Sequence, residues 1–230
     1  MINLSLLKTG VSSLGIDLAD ECIDLLDSFS DMVAEQNKSF NLTALTEPDA
    51  FTEKHIVDSL AALPFIPHGS SVCDVGAGAG FPSVPIAIAR PDTTVTALDS
   101  TAKKTAFIER AAKRLGVSNL RTLTGRAEEC THERETFDVV TARAVAPLAI
   151  LSELALPLVK KGGVFIAYKT NSEEMLSERS LSLLGARLKE RRGYSLPSGD
   201  GRVLLVFEKV ARTDADLPRK YGIIKKHPLV

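Results

Sequence analysis

At 230 residues, with 44% hydrophobic and 25% charged side chains and a net charge of −1, the chain is long enough to bury a core and carries no overall nucleic-acid signature. Its apolar runs stop short of the ~20 residues needed to cross a bilayer. Three cysteines (Cys22, Cys73, Cys130), with no CxxC and no clustered histidines, argue against a disulfide framework or a zinc site.

The start, MINLSLLKTG, lacks the charged front and cleavage site of a secretory leader, so the cytoplasm, no membrane and no metal are the expectation. The charge is unevenly spread. Residues 1–65 hold three Lys/Arg against eleven Asp/Glu, whereas residues 100–126 hold seven cations against Glu109 alone. A local basic field of that kind matters to a phosphate backbone even in a neutral chain; a solvated helix face is the plainer reading.

Residues 17–36 read as an amphipathic helix, with Leu18, Cys22, Leu25, Leu26, Phe29, Met32 and Val33 at helical spacing and Asp20, Asp24, Asp27 and Asp31 opposite. A second helix is expected from Glu47 to Leu63, with Pro48 in its first turn. From residue 70 the pattern alternates. Strands are expected at 71–75, 94–98, 120–123, 137–141 and 163–168, separated by helices at 82–90, 103–115, 147–160 and 173–184. Such alternation builds a parallel sheet with helices on both faces. After 185, ARLKERRGYSL and RVLLVFEK are joined by PSGDG with no helix between them, which predicts an antiparallel hairpin at the sheet edge. The last twenty residues show no periodicity. The expected organisation is a helical extension (1–66), a ligand-binding core (67–210) and a basic tail (211–230).

The stretch CDVGAGAGFPSVPIA (73–87) exposes bare backbone just after the first strand. No Lys follows its glycines, so a Walker-type phosphate loop is excluded. A dinucleotide fingerprint would need glycine at 81 or 83, which are Phe81 and Ser83. DVGAGAG after a strand instead resembles motif I of the class I S-adenosylmethionine-dependent methyltransferases, with Asp74 ahead of Gly76, Gly78 and Gly80. Glycines there avoid a Cβ clash and permit positive φ. Asp99 ends the next strand, where an acid accepts hydrogen bonds from ribose hydroxyls; a cap shared with Ser100 or Thr101 is the alternative. That resemblance implies a Rossmann-like α/β fold with a mainly parallel seven-stranded sheet, and places Ala127 and Glu128 of LTGRAEE against an adenine.

For the methyl acceptor, FDVVTARAVAPL lacks the [DNS]-P-P-[YF] signature of exocyclic amine methylation and any Cys for a covalent adduct. A ring nitrogen such as guanine N7 fits: its lone pair is free and no proton must leave, so alignment suffices. O-methylation is not excluded by this. Taken together, NKSFNLTAL (37–45), HIVDSL (55–60), DVGAGAGFPSVPIAI (74–88), LDSTAKKTAFI (98–108), TARAVA (141–146) and PRKYGIIKKHPL (218–229) resemble the bacterial 16S ribosomal RNA guanine-N7 methyltransferase family, RsmG or GidB. The resemblance runs from about residue 20 to the end, with Ser83 where the family often has Gly and Thr141 where Ser is usual. It implies an S-adenosylmethionine cofactor lined by Gly76, Phe81, Ala127, Glu128 and Arg143, and a guanine at position 527, in the 530 loop, as substrate. Arg143 is the candidate orienting residue. Lys38, Asn41, His55, Lys103, Lys104, Arg219, Lys220 and Lys225 are candidate contacts to the RNA or 30S partner. His55 with Asp58 is alternatively a packing pair, and Asn37, Lys38 and Asn41 a helix end and turn. A monomer is expected. The rival readings are a methyltransferase of a small molecule or protein, and a non-catalytic RNA-associated module that binds the same cofactor.

Overall fold

The computed structural model describes residues 2–170 and 175–229. Seven strands of the described residues form one sheet in the order β3-β2-β1-β4-β5-β7-β6. β1 (Ser71–Val75), β2 (Thr94–Asp99), β3 (Leu120–Thr124), β4 (Phe137–Arg143) and β5 (Val159–Lys169) run parallel, and β6 (Ala186–Ser195) with β7 (Gly201–Lys209) form the reversed edge. Strand order changes direction between β1 and β4. The crevice beyond their carboxyl ends is where open α/β sheets bind ligands.

The two faces are covered differently. Along α2 (Asp20–Asn37) a stripe of Ile23, Leu26, Phe29 and Val33 is buried, and it shares one core with Val72, Val84, Ile108 and Ile166. α5 (Ser83–Ala89) and α6 (Ala102–Leu115) pack on that same side. Opposite them, Leu148 and Leu151 of α7 (Leu148–Ala155) pack with Val140, Phe165, Phe207 and the tail residue Leu217. The N-terminal helices therefore complete the sheet's core. No helix among the described residues is long and apolar enough to cross a membrane.

Several elements depart from the expected ones. An unforeseen α1 (Leu4–Ser13) begins at Asn3, whose side chain accepts from the Leu6 N–H and caps it. The helix expected from Glu47 to Leu63 is broken into α3 (Pro48–Phe51), a π-helical turn (Thr52–Val57), α4 (Asp58–Leu60) and a 3-10 turn (Leu63–Phe65). α7 gives way to a 3-10 turn at Leu156–Leu158, and β5 starts at Val159, before the expected 163. α8 is shorter than expected (Glu178–Leu183), opened by the Ser177 side-chain cap; positions 173 and 174 of that expectation lie outside the described residues. The tail also carries a short helix, α9 (Tyr221–Lys226).

Candidate cofactor cleft

The glycine turn leaves the carboxyl end of β1 with φ of 75° at Gly76, 58° at Gly78 and 97° at Gly80, a region L side chains rarely adopt. Gly76 and Ala77 donate their N–H groups to Leu98 O at 2.8 and 3.0 Å, tying the turn to β2. Asp99 completes it: one oxygen accepts from Gly78 N at 2.9 Å and the other from Thr101 N at 2.8 Å. The acid thus ties the glycine loop to Thr101, the residue before α6, while still bordering the cavity.

That cavity measures about 470 Å³, within the usual range for small-molecule and cofactor sites. Gly76, Asp99, Ser100, Ala127 and Glu128 line it, so residues from three separate motifs converge there. Lys104, expected to contact RNA, also lines it and sits 3.8 Å from Asp99. Several contributors were missed from sequence: Val145 and Leu154, and Tyr221 from the tail, which is covered by the Arg126 guanidinium at 5.6 Å. Only the aromatic inside the basic string RKYGIIKK could have signalled the last of these.

Other expected cofactor residues are placed elsewhere. Asp74 is wholly buried and accepts from Ser83 N at 3.0 Å and Thr141 Oγ1 at 3.1 Å, so it ties the turn to α5 and β4 and does not reach the cavity. Burial raises its pKa to about 6, against the lowering effect of those hydrogen bonds and of the Arg143 charge. A Cβ on Gly80 would lie 2.8 Å from Val84 and 3.0 Å from Phe29, so this glycine faces the core. A Cβ on Gly78 would meet nothing closer than 3.8 Å, so the turn is open there.

Phe81 and Arg143 belong to a second cluster beside the turn. The Phe81 ring stacks on His55 with centroids 4.5 Å apart and planes 9° apart, and Arg143 lies 5.8 Å from the same ring. Arg143 donates to Asp58 at 2.9 Å, to His55 Nδ1 at 3.0 Å and to the Lys54 carbonyl. Its ion-pair partner is therefore Asp58, neither Asp74 nor Asp99. Asp58 is a hub, accepting also from the Tyr194 hydroxyl at 2.7 Å with Arg202 3.8 Å away, while Tyr168 bonds the Ser59 carbonyl at 2.7 Å. Side chains of β4, β5, β6 and β7 thus pin residues 54–59 over the sheet's edge, where the π-helical turn lies.

The partners of His55 fix its tautomer. A guanidinium only donates, so Nδ1 accepts and Nε2–H donates to Thr43 Oγ1 at 2.7 Å, a neutral imidazole. Burial first, and the Arg143 charge second, lower its pKa to about 3. With both nitrogens engaged, His55 is part of this packed cluster, as in the packing-pair alternative.

Among the remaining RNA candidates, Lys38 is exposed and pairs with Glu35 at 2.7 Å, and Asn41 is exposed. Asn37 bonds Leu42 N, Thr43 N and Thr43 O, which is the helix-end turn. Lys103, Lys220 and Lys225 are exposed. Arg219, an expected RNA contact, forks its guanidinium onto the fully buried Glu153 at 2.8 and 2.6 Å. A buried carboxylate left unpaired is costly, and that demand claims the arginine. No group of His, Cys, Asp and Glu suited to holding a metal occurs among the described residues.

Among solved structures, a SAM-dependent methyltransferase from Aquifex aeolicus superposes with a TM-score of 0.55 at 17% identity, over 77% of this chain and 98% of that one. The [4+2]-cyclase SpnF gives 0.54 at 13%, over 67% and 82%. These likenesses establish the fold, and a methyltransferase and a cyclase on the same fold show why it cannot settle the chemistry. Sequence relatives are far closer. Ribosomal RNA small subunit methyltransferase G of Desulfitobacterium hafniense is 41% identical over 224 residues, covering 94% of this chain and 93% of that protein. The protein of the same name from Bacillus subtilis is 38% identical over 237 residues, covering 99% of each. The profile of GidB, rRNA small subunit methyltransferase G, matches residues 22–190, and the chain belongs to that family.

Proposed function

We propose that the chain transfers a methyl group from S-adenosylmethionine to N7 of a guanine in the 530 loop of 16S ribosomal RNA. The observation that carries this reading is the convergence of Gly76, Asp99, Ser100, Ala127 and Glu128 on one cavity at the β1/β4 crevice, in a chain of the small-subunit rRNA methyltransferase family. The residues suit that cofactor: open glycine backbone for its amino-acid end, Asp99 for ribose hydroxyls, and the Ala127–Glu128 turn for adenine. When bound, it supplies the electrophilic methyl, so that the N7–CH₃ bond forms as the S–CH₃ bond breaks and no proton leaves N7.

The protein's own part is positioning. In this reading Arg143, immobilised by Asp58, His55 and Phe81, keeps the edge of the cleft rigid beside the incoming base. It is not a base, because a guanidinium stays protonated at working pH. The cations Lys103 and Lys104 at the start of α6, Lys220 at the start of α9 and Lys225 in its last turn belong to two helices that border the cavity, and favour a polyanion over a small neutral substrate. The chain then works as a cytoplasmic monomer, in which residues 1–66 extend the core (67–210) and the tail (211–230) closes one side. Mass spectrometry of 16S rRNA from cells with and without the gene, and of 30S subunits treated with purified protein, tests the reading. Loss of one 7-methylguanosine with the gene, and its return in vitro, is expected; an unchanged modification pattern would sink it.

A further inference from the structure

The tail holds the observation that the proposed chemistry leaves unused. Glu153 on α7 is completely buried, and three donors of Arg219 converge on it: the backbone N–H at 2.9 Å, Nε at 2.8 Å and Nη2 at 2.6 Å. Nη2 also donates to the His227 carbonyl at 2.9 Å, so one guanidinium clasps both ends of α9. Arg134 binds the carbonyls of Thr213, Asp214 and Leu217, while Leu217 and Ile224 are buried. This segment was expected to be a basic tail without periodicity. It is a built element, anchored from two sides of the fold.

What the anchoring positions is Tyr221, two residues after Arg219. It lines the cavity together with Arg126, Ala127 and Glu128 from the loop after β3 and Leu154 from α7. Leu154 adjoins Glu153 in sequence, so the anchor and the cavity wall share one turn of α7. Arg126 lies over the ring at 5.6 Å, from another element. A flat aromatic held from two sides, beside the residues placed to meet adenine, presents the surface that a purine ring packs against.

Resting on the S-adenosylmethionine reading of this cavity, we infer that Tyr221 is the aromatic wall of its adenine end and that Arg219 and Glu153 are positioning residues which hold it there. The ring, and not the hydroxyl, does the binding. The tail therefore belongs to the cofactor site.

Calorimetry with the full chain, using S-adenosylmethionine and adenosine as separate probes, tests this. Tyr221→Ala should weaken both by about tenfold, and Tyr221→Phe should recover most of that loss. Tyr221 is partly exposed, so its variants should keep the wild-type melting curve. Arg219→Lys keeps a charge for Glu153 but loses the fork; it should weaken both probes, and combining it with Tyr221→Ala should add little further. If wild type binds neither probe, the cofactor reading itself fails. Wild-type affinity in Tyr221→Ala, or a Phe variant as weak as Ala, overturns the ring's role. Full additivity in the double variant overturns the clasp's.

Discussion

At the scale of single residues, Arg143 combines a buried ion pair with the positioning role proposed for it. Its side chain and that of Asp58 are 13% and 8% exposed, and they pair at 2.9 Å. Arg143→Ala leaves the Asp58 carboxylate with Tyr194 and the more distant Arg202, a loss of about 2–3 kcal/mol in stability. Arg143→Lys should restore part of the melting temperature but little methyl transfer, because an ammonium cannot reach Asp58, His55 Nδ1 and the Lys54 carbonyl together. Thermal denaturation beside single-turnover methylation reads both; a fully active Ala variant would reduce this residue to packing. His55 gives a pH signature. Its folded pKa of about 3 lies below the unfolded value of ~6.5, so the unfolded chain binds more protons between them. Its contribution to stability is complete above pH ~6.5 and drains as the pH falls, by at most about 1.4 kcal/mol per unit. Asp74, raised to about 6, has the opposite sign: its contribution is complete below pH ~4 and is lost as the pH rises through 6. Urea unfolding from pH 7 to 4 should therefore show His55→Gln gaining on wild type as the pH drops. Parallel stability curves would mean that the imidazole is not held neutral.

At the scale of elements, the three glycines of one turn do different work, and substitution should separate them. Gly78 has open space at its Cβ, so Gly78→Val carries the cost of a positive φ, about 1–2 kcal/mol, and places branched carbon at the open turn. Gly80→Ala drives its Cβ into Val84 and Phe29 as well. The expected outcome is a folded Gly78 variant with cofactor binding blocked, and a Gly80 variant with a lower melting temperature. Undiminished binding in a folded Gly78→Val protein would remove the turn from the site. This turn and the alternating strands were legible because both are written locally, in glycine spacing and in short apolar runs. The broken helix at 48–60 was not, since what pins it is Arg143, Tyr168 and Tyr194, each more than eighty residues away in sequence. α9, at six residues, is too short to carry a period, so Tyr221 could not be assigned a face from sequence.

At the scale of the whole molecule, several cations of the basic field have partners within the chain. Arg110 is bonded to Gln36, Arg121 to Thr96 and Glu133, Arg126 lies against Tyr221, and Arg219 is claimed by Glu153. Exposed lysines with no such partner on the helices that border the cavity include Lys103 at the start of α6 and Lys220 and Lys225 in the tail. If these meet the RNA backbone, each releases counterions on binding, with a slope of roughly 0.7 to 0.9 in log affinity against log salt per contact. A Lys103/Lys220/Lys225 triple alanine variant should therefore flatten the salt dependence by roughly 2 units while S-adenosylmethionine affinity stays near wild type. Arg219→Ala should give the reverse pattern, a weakened cofactor with little change in salt slope, because its guanidinium faces a buried carboxylate. Filter binding of a 16S fragment over a salt series, run beside cofactor calorimetry, separates the two. An unchanged slope in the triple variant would move the RNA-binding surface elsewhere, and a steep loss of slope in Arg219→Ala would return that residue to the RNA.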